Sequence, residues 1–136
     1  MGNCVSIKCE VKEKELFNKG LKSVVLEQMK KTIGAVAKKP KSKGLELDDN
    51  CKDGWVLTAT VTSLKIDDPA KPKSMEVEVE IEGAFFGTGG GQKMSATGKG
   101  KATGIRANKL EAAAKTVVDD VLGDVIENKV IPKVLE

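Results

Sequence analysis

The sequence of 136 residues predicts one α+β domain, spanning residues 1–136, in which two helices cover one face of a four-stranded, mainly antiparallel sheet. Four segments alternate apolar and polar residues with the period of a β-strand. Two segments repeat apolar residues every three or four positions, as an amphipathic helix does. These elements follow in the order β-α-β-β-β-α, and each has one apolar face to bury.

The first strand alternates polar residues with four inward-facing ones, Val5, Ile7, Cys9 and Val11. This phase directs Cys9 toward the core and Cys4 toward the opposite face. Apolar residues then recur at helical spacing from Leu16 to Ala37, and Pro40 marks the end of the helix. The polar segment from Lys38 to Gly54 is longer than most loops, so we expect it to be mobile or functional.

The next strand begins at Trp55, and its first inward-facing residues are odd-numbered. Further along, Leu64 and Ile66 turn inward instead, which predicts a β-bulge near Thr62-Ser63. Two prolines mark the stretch from Asp67 to Ser74 as a turn.

A charged hairpin follows, from Met75 to Gly104, with its tip at Gly87 to Gln92. Antiparallel pairing of Phe86 with Lys93 sets the predicted register and gives four further pairs, Glu80–Lys99, Glu78–Lys101, Ile81–Gly98 and Val79–Gly100. The charged residues then form a solvated ladder on the outer face. The inner-face glycines let a helix approach the sheet closely: Gly98, Gly100 and Gly104.

The last helix is predicted to open at a capping box, in which Asn108 is followed three residues later by Glu111. Its apolar face repeats at helical spacing from Leu110 to Ile126. Pro132 is expected to kink or end the helix, so that residues 130–135 dock as a tail.

Composition argues against several classes of function. The 23 basic and 20 acidic residues give a net charge of +3, a mixed surface unlike that of a nucleic-acid-binding domain. The basic cluster from Lys38 to Lys43 contains no aromatic residue that would stack on a base. No apolar stretch approaches the roughly 20 residues that cross a bilayer. The chain has no histidine and no Cys-x-x-Cys, so we expect neither a metal site nor a cofactor.

Catalytic motifs are also missing from the sequence. The glycine-rich segment Gly87 to Lys93 lies between strands, whereas a phosphate-binding loop joins a strand to a helix. The residues Asp48, Asp49, Asn50 and Asp53 lack the spacing and the closing glutamate of a calcium loop. The paired carboxylates fall in turns or on a helix surface, at Asp48-Asp49, Asp67-Asp68 and Asp119-Asp120. We therefore predict that the protein is not an enzyme.

The first residues support two interpretations. The sequence from Met1 to Ser6 matches the pattern of dual acylation, with myristate on Gly2 and palmitate on Cys4. Alternatively, Met1-Gly2 and Leu135-Glu136 are cloning remnants, and a signal peptide preceded the native start. We favour the second interpretation, under which Cys4 is the candidate for the lipid of a bacterial lipoprotein.

An extracytoplasmic location would allow the cysteines to form a disulfide. Three cysteines leave one unpaired, and the predicted bridge is Cys9–Cys51 or Cys4–Cys51. Either would tie the first strand to the segment before Trp55, and closing a loop of that length would stabilise the fold by about 4 kcal/mol in the chain-entropy model.

The element order, the strand from Trp55 to Val61, the Val-Glu-Val-Glu hairpin and the Ala-rich last helix resemble the small α/β domains of bacterial envelope lipoproteins. The similar domains are those of the curli-secretion lipoprotein and TolB amino-terminal type. The resemblance covers about Cys4 to Ile131. It implies an assembly or docking role and assigns no particular residue.

We therefore expect a non-enzymatic, extracytoplasmic module, periplasmic or secreted, that binds a protein partner of the cell envelope. Its contact surface would be a sheet edge, the segment from Lys38 to Gly54, or the hairpin tip, at Gly89, Gly90, Gly91 and Gln92. One alternative is a carrier of a small apolar ligand between helices and sheet. The other is a dually acylated cytoplasmic adaptor tethered to the membrane.

Overall fold

The computed structural model describes residues 4–12, 20–38, 46–47, 54–68, 71, 73–86 and 90–134. The strands are β1 (Cys4–Val11), β2 (Glu46–Leu47), β3 (Gly54–Ile66), β4 (Met75–Phe86) and β5 (Lys93–Ala102). The helices are α1 (Lys22–Ala37), α2 (Leu110–Val125) and the short α3 (Ile131–Val134). A 3-10 turn (Ala107–Lys109) precedes α2, and a π-helical turn (Ile126–Val130) separates α2 from α3.

The α+β class and the order β-α-β-β-β-α are confirmed. The sheet order is β2-β1-β3-β4-β5, and α1 and α2 pack against each other on one face of the sheet, α1 against β1 and α2 against β4 and β5. The pairs β3–β4 and β4–β5 are antiparallel, whereas β1 is parallel to β3. The sheet has one strand more than the four predicted. The additional strand, β2, runs parallel to β1 over two residues and is too short to show a period in the sequence.

The hydrophobic core lies between the helices and the inner face of the sheet. Its fully buried side chains come from β1, β3, β4, α1 and α2, and the largest are Met29, Leu57, Leu64, Met75, Ile81 and Leu122. On their inner faces β3 and β4 therefore bury the alternate residues that their sequence periods indicate. The outer face carries the threonine, glutamate and lysine side chains.

The bulge in β3 lies where it was predicted. The register with β4 shifts between Val61 and Ser63, so that Leu64 faces inward and is fully buried. An extra residue in one strand rotates the following residues to the opposite faces, which explains the change of parity.

The register of the β4–β5 hairpin differs by two residues from the predicted one. The observed pairs are Ala84–Lys93, Val79–Gly98, Glu78–Lys99, Val77–Gly100 and Glu76–Lys101. The turn is centred one residue earlier, because Gly91, at φ 102°, donates to the Phe85 carbonyl and brings Gln92 into the ladder. The Phe85 amide then donates to the Gln92 carbonyl at 2.9 Å. A shift of two preserves the side-chain faces, so each predicted face is confirmed and each predicted partner is wrong.

Two of the inner-face glycines permit close packing, as predicted. A Cβ atom on Gly98 would lie 2.5 Å from Val125 Cγ2, and one on Gly100 would lie 2.3 Å from Val121 Cγ2. At Gly104 the prediction is wrong, because nothing lies within 4 Å of its Cβ position. Its φ of 66° shows that this glycine serves the turn after β5.

The ends of the helices differ in detail from the predictions. The capping box is wrong: Asn108 lies inside the 3-10 turn, α2 begins at Leu110, and no side chain caps it. Pro132 does not end the helical path, because it lies in the first turn of α3, where a missing N–H is tolerated. Val130 and Ile131 are buried, as predicted for the start of the tail, whereas the Val134 side chain and Leu135 lie outside the described residues. The predicted start of the first helix, at Leu16, lies outside the described residues, within which α1 begins at Lys22.

Asp67 closes the turn between β3 and β4. Its Oδ1 accepts the Lys73 N–H at 2.9 Å and the Ser74 N–H at 3.0 Å, and its own amide donates to the Ser74 carbonyl at 3.2 Å. The Ser74 and Lys73 N–H groups lower the pKa of Asp67, because they stabilise the carboxylate.

We expect Asp67→Ala to lower the melting temperature at neutral pH, whereas Lys71→Ala in the same turn should leave it unchanged. A lowered folded pKa means that the carboxylate contributes stability above its unfolded pKa and loses it as the pH falls through the folded value. Thermal unfolding from neutral pH to about pH 2 should therefore show the variant and the parent converging in acid. A difference that persists undiminished in acid would contradict this role of the charge.

Candidate functional site

The outer face of the sheet, opposite the helices, contains an open cavity of about 840 Å³. We call it the outer-face cavity. Its floor consists of three cross-strand pairs between β3 and β4: Thr60–Glu80, Thr58–Glu82 and Val56–Ala84. Glu10 and Lys12 line it on the β1 side, and Lys93 and Ser95 line it on the β5 side. Side chains alternate between the two faces of a strand, so residues of one strand that share a face are two apart. These lining residues are even-numbered on β3 and β4 and odd-numbered on β5, and all of them lie on the outer face.

The cavity is polar at one end and apolar at the other. Glu10, Thr60 and Glu80 lie at the polar end, since Glu10 and Glu80 are the neighbours of Thr60 on the two adjacent strands. Val56 and Ala84 lie four residues further along the same strands. Beyond them is Phe86, whose 52% exposure is unusual for an aromatic side chain.

Thr60 is the unusual polar residue of this face. It is only 6% exposed although it lies on the side of the sheet away from the core. Its hydroxyl has no hydrogen-bond partner among the residues that the structure describes. Most buried hydroxyl groups in proteins have a partner, so this one leaves a hydrogen-bonding group available to the cavity.

Glu80 and Glu82 form a like-charged pair along β4. The pKa of Glu80 is raised, first by a hydrogen bond with Glu82 and then by the negative charge of Glu82. Lys12 acts in the opposite direction and lowers that pKa. The pair therefore places two carboxyl groups close together at the polar end of the cavity.

The remaining glutamates of β4 belong to a charge ladder, as predicted. Lys99 Nζ lies 3.5 Å from Glu78 Oε2, and Glu76 is the cross-strand partner of Lys101. The ion pair is exposed, so it contributes at most about 1 kcal/mol.

The free edge of β5 is a second candidate site. Within the described residues β5 ends the sheet. The Phe85–Gln92 hydrogen bond shows which residues of β5 bond to β4 through their backbone. The backbone N–H and C=O groups of the even-numbered residues bond to β4, and those of the odd-numbered residues point away from the sheet. Lys129, from the π-helical turn, donates through Nζ to the outward Thr97 carbonyl. The other odd-numbered residues of this edge are Lys93, Ser95, Lys99 and Lys101.

The predicted contact residues at the hairpin tip continue this edge. Gly90, Gly91 and Gln92 are exposed. Gly89 lies outside the described residues. The structure therefore places three of the four predicted residues on the surface, at the start of β5.

Two further surface depressions border α2. One lies between α1 and α2, where the buried Thr32 hydroxyl is 2.7 Å from Asp119 Oδ1 and Asp120 and Asp124 are neighbours. The other lies between the end of β5 and the start of α2, beside Arg106 and Lys109. Of the predicted Asp119-Asp120 pair, Asp119 therefore joins the two helices through Thr32, a structural role.

The predicted lipidation and disulfide residues lie mostly outside the described region. Gly2, Cys51 and the Cys4 side chain are not described. The two alternative disulfides, Cys9–Cys51 and Cys4–Cys51, therefore stay predictions. Cys9 is half-buried and faces the core, and burial raises the pKa of its thiol. The parallel β1–β3 register pairs Val5 with Trp55 and Cys9 with Ala59, so Cys4 lies beside the start of β3 and Cys9 beside its middle.

The described residues show neither a metal cluster nor a membrane-spanning helix. No three histidine, cysteine, aspartate or glutamate side chains among them are grouped as metal ligands would be. No helix within the described ranges is both long and apolar enough to cross a bilayer.

Comparison with known proteins yields only distant structural similarities. No protein-family model matches the chain, and no curated protein matches it. A predicted lipoprotein from Caulobacter crescentus aligns with a TM-score of 0.46 and 8% identity over 94% of this chain and 86% of the other. Two crystal forms of the PelC dodecamer from Paraburkholderia phytofirmans align with TM-scores of 0.45 and 0.44 and identities of 16% and 14%, over 90% of this chain and 86% of PelC. These similarities assign neither a family nor a function to the chain.

Proposed function

We propose that the protein is a non-enzymatic binding module whose β5 edge accepts a strand from a partner protein. The observation that carries this proposal is the ten-residue β5 strand, which ends the described sheet with a row of outward-pointing backbone groups. Adding a strand to such an edge supplies one main-chain hydrogen bond after another, and side-chain pairs set the specificity.

The charges along β5 favour an acidic partner strand. The side chains of Lys93, Lys99 and Lys101 are exposed on the outer face. Pairing of two copies of β5 in antiparallel fashion about Thr97 would place Lys93 opposite the second copy's residue 101, a lysine, and like charges directly opposite are destabilising. A strand with glutamate or aspartate at alternate positions would instead complement the edge, as β4 does from the other side through Glu78.

An extracytoplasmic location is part of the proposal, with a partner of the cell envelope. It is supported by the sequence resemblance to envelope lipoprotein domains, and it would allow the predicted disulfide to form. Thiol counting on protein from its native organism tests this placement. Three reduced cysteines would contradict it, whereas one free thiol and one bridge would support it.

A peptide-binding assay tests the edge directly. The probe is a fluorescent eight-residue peptide that alternates threonine with glutamate, and its counterpart alternates threonine with lysine. We expect the acidic peptide to bind and the basic one to fail. Thr97→Pro should weaken binding at least tenfold, because proline removes an outward N–H without disturbing the ladder to β4. Anisotropy titration measures both peptides.

Matched variants make the result specific for the edge. Thr97→Val alters the side chain but keeps the backbone donor, so it should change the affinity less than twofold. Lys129→Ala frees the Thr97 carbonyl and should strengthen binding. Deletion of residues 89–91 tests the tip: an unchanged affinity would remove the tip from the contact surface. Equal binding of the acidic peptide by Thr97→Pro and by the parent would overturn the proposal. The comparison requires that Thr97→Pro and Thr97→Val have the same circular dichroism spectrum as the parent.

A further inference from the structure

The outer-face cavity combines three observations that the proposed edge does not use. Glu10, Glu80 and Glu82 place three carboxylates at or near its polar end. The nearly buried Thr60 hydroxyl faces the same space without a partner among the described residues. Val56 and Ala84 form an apolar floor beside these groups.

We propose that the outer-face cavity is a binding site for an organic cation, a primary ammonium or guanidinium group carried on an apolar stem. The cation would lie between Glu80 and Glu82, and the stem would lie over Ala84 toward Phe86. This site is separate from the β5 edge, and it does not depend on strand addition there.

The carboxylates explain why the bound group is a cation. Glu80 and Glu82 lie close together on β4, and a hydrogen bond with Glu82 and then the negative charge of Glu82 raise the pKa of Glu80. Where both carboxylates carry a charge, they repel each other. A positive charge between them would relieve that repulsion and gain two charge-assisted hydrogen bonds. Lys12 compensates Glu80 only in part, since the net effect of its surroundings still raises the pKa of Glu80.

The Thr60 hydroxyl explains why the cation should be a hydrogen-bond donor. An ammonium or guanidinium group donates to a hydroxyl oxygen, whereas a quaternary ammonium has no N–H to donate. Thr60 is the cross-strand partner of Glu80, so a single ammonium or guanidinium group can donate to both side chains. A buried hydroxyl without a partner is unfavourable, and this contact would remove that cost.

The apolar floor and Lys93 limit what the stem can be. Glu82 and Ala84 are two residues apart on one strand, about 6.5 Å, which is close to the length of a lysine side-chain stem. Ala84 is paired with Lys93 on β5, so the far end of the stem meets a positive charge. The site should therefore take a monocation and reject a diamine of the same length.

An NMR titration of the full ¹⁵N-labelled chain tests the site. The probes are n-pentylamine, neutral N-pentylacetamide, 1,5-diaminopentane and N-acetyl-lysine N-methylamide. We expect pentylamine to shift the amide signals of Thr58, Thr60, Glu80 and Glu82 in a saturable manner, at least tenfold more tightly than the neutral probe or the diamine. If the lysine derivative binds as tightly as pentylamine, the natural ligand is a lysine side chain of a protein. If the lysine derivative does not bind, the natural ligand is a free amine.

Three variants separate the site from a general charge effect. Glu80→Gln should weaken pentylamine binding at least tenfold, and the near-isosteric Thr60→Val should weaken it about threefold. Glu76→Gln, on the same face of β4 but outside the cavity, should change it less than twofold. If Glu76→Gln weakens binding as much as Glu80→Gln does, or if the neutral probe binds equally well, the proposed site is wrong.

The pH dependence gives a second readout. Lowering the pH from neutral to about 4 should weaken pentylamine binding, because protonation of Glu80, whose pKa is raised, removes a negative charge that attracts the cation. The charged groups around Glu80 are Glu78 and Glu82 on β4, Glu10 and Lys12 on the β1 side, and Lys99 on β5, two residues from Thr97, the cross-strand partner of Glu80. The Glu80→Gln variant should lose most of this dependence, and an unchanged dependence would contradict the assignment to Glu80.

Discussion

Gly100→Val is expected to lower the free energy of unfolding by about 3 kcal/mol, the upper end of the usual cost of overpacking. A Cβ atom alone would lie 2.3 Å from Val121 Cγ2 and 3.6 Å from Val117 Cγ1. Val121 is branched at Cβ and has few rotamers with which to avoid the clash. The helix α2 must therefore move away from β5, which opens the core along the whole interface.

Thermal and urea unfolding measure this effect, and a fall in melting temperature of roughly 10 °C is expected for a chain of this size. Gly34→Ala is the matched control. Nothing lies within 4 Å of the Gly34 Cβ position, in the interior of α1, so alanine should stabilise the protein by about 1 kcal/mol through helix propensity. If Gly100→Val unfolds at the parent's temperature, the contact between α2 and β5 is looser than the structure shows.

Leu57→Ala is expected to cost about 3 kcal/mol, because it leaves a cavity at a fully buried position of β3. The cost should fall when Gly83 is replaced by alanine at the same time. The two residues are cross-strand partners, and a Cβ atom on Gly83 would lie 2.0 Å from Leu57 Cδ2. Gly83→Ala alone should therefore destabilise the protein, because the new methyl group clashes with Leu57. In combination with Leu57→Ala, the same methyl group fills part of the cavity.

A double-mutant cycle measures this coupling. The loss in Leu57→Ala/Gly83→Ala should be smaller than the sum of the two single losses by about 1 kcal/mol. The control cycle combines Gly83→Ala with Val79→Ala, four residues away on β4 and also fully buried. Those two should add within about 0.5 kcal/mol. Additivity in both cycles would show that the Leu57 side chain does not cover Gly83.

The faces of the strands could be predicted from the sequence because side-chain parity is a local property. The alternation in β4 and the change of parity before Leu64 both appear in the structure as predicted. The partners across the hairpin could not be predicted, because an even shift leaves every face unchanged. Within the described part of the turn, the features that accompany the observed register are the positive φ of Gly91 and the hydrogen bond from its N–H to the Phe85 carbonyl.

The candidate site was less accessible to prediction from sequence. The alternating threonines of β3 indicated a face that meets water, yet Thr60 is nearly buried. Its burial depends on which residues lie beside it on β1 and β4, and this is known only once the sheet order and the registers are known. The edge position of β5 is likewise a property of the sheet order. A sequence period identifies a strand but does not show whether the strand has one neighbour or two.

The parallel pairing of β1 with β3 also bears on the order in which the protein folds. The β3–β4–β5 meander joins strands that are neighbours in the chain, whereas Val5 meets Trp55, fifty residues later. Contacts between distant residues require a costly loop closure and form slowly. We therefore expect β1 to pair with β3 only after the β3–β4–β5 meander has formed, although β1 precedes the meander in the chain. Until it does, one side of β3 is an open edge in a folding intermediate, exposed to pairing with other chains.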